Sequence, residues 1–159
     1  MKQLVIILFM SAFFAACGGN TDSNTATSES SSSETKKTDN ANPSYDPERG
    51  EGKFTDVEVG DKLNMAMADA GEKVYSVKCG SCHKLTSEKL VGPGWLGVTS
   101  RHKPEWIMNF ATNTDAMLNK DPKAQAQLEI CLVRMPNQNL SDDDARSLYE
   151  FMRKNDGVK

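Results

Sequence analysis

The chain has 159 residues, a formal net charge of −3 and 38% hydrophobic residues, enough for one domain with accessory segments. From Glu51 to the end, acidic and basic residues nearly cancel, so there is no basic excess and a nucleic-acid partner is excluded. Hydrophobic residues are unevenly placed: residues 4–16 are apolar, the stretch to about Gly50 is almost wholly polar, and mixed character begins at Glu51.

Met1-Lys2 supplies a positive start, and Leu4 to Ala16 is an apolar run too short to span a bilayer comfortably, with the make-up of a signal-peptide core. It ends at Phe14-Ala15-Ala16-Cys17. This resembles a bacterial lipobox, in which small residues precede a cysteine that is lipidated and becomes the first residue of the mature chain. Phe14 stands where that pattern prefers an aliphatic residue. The expectation is a lipoprotein signal peptide over 1–16 and a lipid anchor on Cys17, with a plain signal peptide or an uncleaved anchor as alternatives. Residues 17–50 are rich in Ser, Thr, Asn and Asp. Such a segment cannot bury enough surface to offset ordering entropy, which predicts a disordered tether of roughly 30 Å rms span. The folded domain is expected over 51–159, on the periplasmic side of a bacterial membrane, inner and outer membrane both remaining open.

Ala70, Val74 and Val77 recur at helical spacing and predict a first helix, with Met65 and Met67 just upstream of it. Cys79-Gly80-Ser81-Cys82-His83 follows. C-x-x-C-H is the signature of c-type haem attachment. Two thiols on one turn can add to the two vinyl groups of a haem, and the adjacent imidazole is aimed at the iron. A redox dithiol would want a βαβ context, which is absent. Zinc needs four ligands, and the chain offers two histidines and one spare cysteine. A structural disulfide leaves His83 unexplained. One covalent haem c is therefore the expected cofactor.

Gly92-Pro93-Gly94 predicts a loop able to approach a ligand closely. Pro104-Glu105 marks a second helix start, with Trp106, Ile107 and Phe110 on one face. Asp121-Pro122 marks a third, an N-cap followed by proline, after which Ala124, Leu128, Cys131 and Leu132 share a face. Cys131 is expected to be a buried, inert thiol. Met135 precedes Pro136, and proline disfavours helix at the residue before it, so Met135 is expected in an extended loop, free to point at a metal. Met108, Met117 and Met152 fall in or near helices as core residues. His102 is the rival for a distal position, and an open site is the third alternative. Ser141 and Asp144 fit a capping box, three acids suit the first turn, and Ala145, Leu148, Tyr149 and Met152 give a fourth helix its stripe. Thr55 to Val59 alternates too briefly for a strand. Lys78, Lys84 and Lys89 surround the haem motif, either as a docking rim for an acidic partner or as a solvated face.

Three segments together resemble the class I cytochrome c family, over nearly all of residues 69–154. They are Gly71-Glu72-Lys73-Val74-Tyr75 leading into the haem motif, Val91-Gly92-Pro93-Gly94-Trp95-Leu96-Gly97-Val98-Thr99-Ser100-Arg101, and Arg134-Met135-Pro136 followed by Leu140 to Tyr149. The resemblance implies an all-α, cytochrome c-like bundle around one haem. It implies His83 as proximal ligand, the Pro93 carbonyl as acceptor for the other ring nitrogen, and Met135 as distal ligand. It also places Arg101 near a haem propionate and Trp95 against the porphyrin. His/Met ligation raises the reduction potential and fills both axial positions. The expectation is a one-electron carrier of an extracytoplasmic respiratory chain, not an enzyme, with a quinol-oxidising complex as donor and a terminal reductase or oxidase as acceptor. The rivals are a small haem peroxidase or gas sensor with an open distal site, and a fixed electron-entry domain of one oxidoreductase complex.

Overall fold

A computed structural model describes residues 45–159; the expected signal peptide, the Cys17 anchor and most of the tether lie outside the described residues. Six helices occur among those residues: α1 (Met65–Lys78), α2 (Val98–Arg101), α3 (Pro104–Thr112), α4 (Thr114–Lys120), α5 (Pro122–Cys131) and α6 (Asp142–Asn155). No strand forms there beyond a single bridge between His83 and Lys89. The fold is all-α, with six helices instead of four. The two unforeseen ones, α2 and α4, are four and seven residues long, too short to repeat an apolar stripe.

α1 starts at Met65 because Asn64 caps it, its side chain accepting from the Met67 N–H at 3.1 Å. Met65 and Met67 are therefore inside the helix. The inward face is Ala68, Gly71, Val74 and Tyr75, not the expected Ala70, Val74 and Val77; Ala70 is exposed and Val77 is 83% exposed. The shift has a steric cause. A Cβ on Gly71 would lie 2.1 Å from the Ser147 carbonyl oxygen of α6, so the two helices meet backbone to backbone, and the glycine is the contact.

α3 begins at Pro104 with Trp106 and Ile107 buried, as expected. α6 has the full capping box between Ser141 and Asp144, and its Ala145, Leu148, Tyr149 and Met152 are buried. Met108 and Met117 are core residues too. On α5 the expected face is only partly right: Ala124 is buried and Leu128 half-buried, but Leu132 is 83% exposed and sits past the helix end at φ 59°.

Asp121 caps α5 and does more. It is fully buried. Its carboxylate accepts from the Ala124 N–H at 2.7 Å, from Trp106 Nε1 at 3.1 Å, and from the Tyr45 hydroxyl. Burial, with the bond to that carboxylate, pushes the Tyr45 phenol well above its ordinary value. Asp121→Ala would strip three donors of their acceptor, the capped Ala124 N–H among them. The expected cost is about 3 kcal/mol or more, read as a lower midpoint in denaturant titration, with Asp121→Asn losing less.

The stretch before α1 is packed. Asn109, fully buried, donates to the Arg49 and Phe54 carbonyls at 3.0 and 2.9 Å and accepts from the Phe54 N–H at 3.0 Å. Gly50 is buried beside Met117 and Trp106. Residues 45–50, expected in the tether, therefore belong to the packed domain. Glu150 is 1% exposed and is held by Arg146 and Arg153, and Arg153 reaches on to the Gly60 carbonyl at 2.7 Å.

Candidate functional site

Cys79 ends α1, its N–H returning to the Tyr75 carbonyl at 2.9 Å. The chain then turns tightly, with the N–H groups of Cys82 and His83 both donating to the Cys79 carbonyl at 3.0 Å. This puts two free thiols on one turn, with His83 next to them. Cys79 is buried, and that burial pushes its thiol up to about 11. The turn opens on a cleft of about 280 Å³. Cys79, Cys82 and His83 line it together with Phe110 of α3, Leu118 of α4 and Leu128 of α5.

His83 is held in one orientation. Its Nδ1 lies 2.9 Å from the Pro93 carbonyl. A carbonyl only accepts, so Nδ1 carries the hydrogen and Nε2 keeps its lone pair. Burial lowers the pKa of the ring, and the Pro93 bond opposes that shift, so the imidazole is neutral at pH 7. A Cβ on Gly92 would lie 2.4 Å from His83 Cε1, so the backbone at 92 lies against the ring where no side chain fits. Tyr75 has a role that its sequence position did not announce. Its hydroxyl donates to the His83 carbonyl at 2.7 Å, and its ring packs on Trp95 and Phe151 with centroids 5.0 and 5.3 Å apart. An aromatic residue four positions before Cys79 was the only signal.

Other expected site residues fall in different places. Met135 lines the cleft, and among the described residues it is the only methionine that does. Pro93 and Gly92 line it as well. Trp95 does not: it is 6% exposed and packs on His83 at a centroid distance of 5.4 Å. It braces the histidine from behind the cleft wall. Arg101 is exposed and donates to the Leu96 carbonyl at 2.7 Å. It lines a hollow that shares Pro93, Gln127 and Cys131 with the cleft. Cys131, expected to be buried, is partly exposed and faces the cleft, because α5 turns its last helical residue toward the site.

His102 is not among the cleft residues. It stacks on Trp106 at 3.9 Å and 13°, and its Nδ1 is buried without a hydrogen-bond partner. Burial is the main cause lowering its pKa, with Lys123 and Arg101 adding to it. The sign follows. The folded state binds fewer protons than the unfolded one, so stability falls as pH drops below about 6.5. His102→Phe keeps the stack and removes the titration. Its stability in urea at pH 5 relative to pH 7.5 is expected to fall less than that of the unsubstituted protein; equal losses would contradict this.

The donor set fits a covalently held haem. Two unbonded thiols on one turn can form thioethers, Nε2 of His83 is free to bind iron, and the cleft wall is largely apolar. The comparisons agree. The family model "Cytochrome c" matches residues 68–156. A cytochrome c from Rhodothermus marinus is 30% identical, covering 66% of this chain and 90% of that one, with a TM-score of 0.64. An engineered form of the Rhodothermus marinus protein is 29% identical over 70% of this chain and 98% of that one, with a TM-score of 0.66. The same engineered protein bound to a carbene intermediate gives 29% identity, the same coverage and a TM-score of 0.63. No curated protein matches. With the family model spanning more than half its length, the chain belongs to the cytochrome c family, as a haem-based electron carrier with one covalently bound c-type haem and redox proteins as partners.

Proposed function

We propose that this cytochrome is a lipid-anchored shuttle of an extracytoplasmic respiratory chain, with His83 and Met135 as the axial ligands and no enzymatic activity of its own. One observation carries the ligand assignment. Met135 is the only described methionine in the cleft wall, whereas His102 lies elsewhere, stacked on Trp106.

When bound, the haem supplies a one-electron ferric/ferrous couple. The chain does the rest. Cys79 and Cys82 would hold the group as thioethers, and the Pro93 carbonyl and Gly92 backbone fix the ring of His83. Met135 would offer a soft thioether, which favours the ferrous state and raises the potential. Phe110, Leu118 and Leu128 keep the cleft apolar, which limits water and works in the same direction. Were His83 and Met135 both to hold the iron, no coordination site would be left for a substrate. The proposed donor is a quinol-oxidising complex, and the acceptor is a terminal reductase or oxidase. The anchor would be Cys17, on the periplasmic side of a bacterial membrane.

The ferric holoprotein should show the weak far-red sulfur-to-iron band, and its redox titration should follow a single one-electron step. A high-spin ferric spectrum lacking that band would overturn the ligand assignment. For the anchor, a Cys17→Ser protein should leave the membrane fraction; if it matures and stays membrane-bound like the unsubstituted protein, the lipid assignment is wrong.

A further inference from the structure

We infer that Lys78 and Lys89 are positioning residues that clasp the segment carrying Met135 at its two ends, Lys78 at the cleft and Lys89 at the hollow beside it. That segment, Ile130 to Gln138, starts in the last turn of α5, leaves the helix through the left-handed Leu132 and forms no helix or strand from Leu132 to Gln138. The ladder of helical hydrogen bonds ends with the Leu132 N–H, so the place of the residues beyond depends on side chains.

Lys78 Nζ donates to the Gln138 carbonyl at 2.9 Å, and Lys89 Nζ donates to the Ile130 carbonyl at 3.1 Å. Both donors start from the haem-motif side. Lys78 directly precedes Cys79, and Lys89 pairs with His83 through the backbone bridge. The two acceptors bracket Met135. Among the described residues these are the only hydrogen bonds joining residues 78–93 to residues 130–138. A third tie holds the middle of the segment from the other side: Arg134 Nη2 reaches Asp115 Oδ1 at 3.1 Å and Asn119 Oδ1 at 3.2 Å, both on α4.

The alternative role for these lysines is a charged docking rim. The geometry favours the clasp. Neither ammonium has a carboxylate partner among the described residues, and each is directed at a backbone carbonyl of the same segment. Lys84, the third lysine of the expected rim, is paired with Glu88 at 2.7 Å. Bonds from a charged donor to a carbonyl are stronger than neutral ones; one holds the helix end from which the loop departs and the other the loop's far end, and the loop has no other tie to the motif side. The clasp bears on electron transfer only through the Met135 ligation proposed above.

The test uses the full holoprotein with Lys78→Met and Lys89→Met, which keep the stem and remove the donor. Two quantities are read: amide hydrogen exchange across 131–138, and the pH at which the ferric far-red band is lost. Each variant should speed exchange in that segment by about three- to tenfold and move loss of the band to lower pH. Lys78→Arg and Lys89→Arg should restore both. Unchanged exchange and an unchanged band midpoint in both methionine variants would overturn the clasp. If the unsubstituted protein has no far-red band, the ligand assignment fails instead, and exchange alone decides whether the lysines hold the segment.

Discussion

Met135→Ala holoprotein is expected to lose the far-red band and to drop in potential by on the order of 0.1 V or more, a fraction of the roughly 0.8 V that axial ligation spans. The thioether is a soft donor that favours ferrous iron. Alanine offers no donor and leaves space in an otherwise apolar wall, where water can enter and favour the more highly charged ferric state. No other described methionine can take its place, since Met108, Met117 and Met152 are packed in the core and Met65 and Met67 belong to the start of α1. Spectroelectrochemistry of the variant beside the unsubstituted protein measures both effects. A far-red band missing from the unsubstituted protein, with a potential that is unchanged in Met135→Ala but shifted in His102→Ala, would move the ligand role to His102, against its position in the fold.

Gly71→Val should be the most damaging single change to the fold. The new Cβ would fall 2.1 Å from the Ser147 carbonyl oxygen and 2.9 Å from the Leu148 nitrogen. These are backbone atoms of α6 and cannot swing aside like a side chain. The helices must separate, opening the core around Leu148 and Phe151, both 5% exposed or less. Overpacking of this kind costs about 3 kcal/mol or more. Because α1 ends at Cys79, the haem turn moves with it. A thermal melt of the variant should show a midpoint lower by about ten degrees or more, on the order of 4–8 °C per kcal/mol for a domain this size. Gly71→Ala is the milder version, and a melt like that of the unsubstituted protein for both would contradict the close crossing.

Much of the site is legible in the sequence because its chemistry is local. C-x-x-C-H needs only one turn of backbone, so Cys79, Cys82 and His83 converge without tertiary information. The starts of α3, α5 and α6 are legible for the same reason, because Pro104, Asp121-Pro122 and the Ser141–Asp144 box act on backbone groups within four residues. What is not legible depends on partners distant in sequence. Gly71 counts as an inward residue only once Ser147 is known to face it. The packed stretch at 45–54 is invisible without Asn109, some sixty positions away, whose amide reads its backbone. The surroundings of Trp95 and Cys131 are likewise set by tertiary structure. The aromatic braces His83 behind the cleft, and the thiol faces the cleft, because loop 92–97 and the end of α5 turn in ways that apolarity does not encode. Lys78 and Lys89 are typical surface residues by sequence, and only the fold gives their ammonium groups a carbonyl to hold.

The claim on which the functional account depends is that both axial positions are filled by the chain itself. Mixing the ferrous holoprotein with carbon monoxide tests it most directly. Slow, weak binding, limited by displacement of Met135, is the predicted result. Rapid and tight binding would mean an open distal site, and the protein would then be a gas sensor or a small peroxidase instead of a carrier.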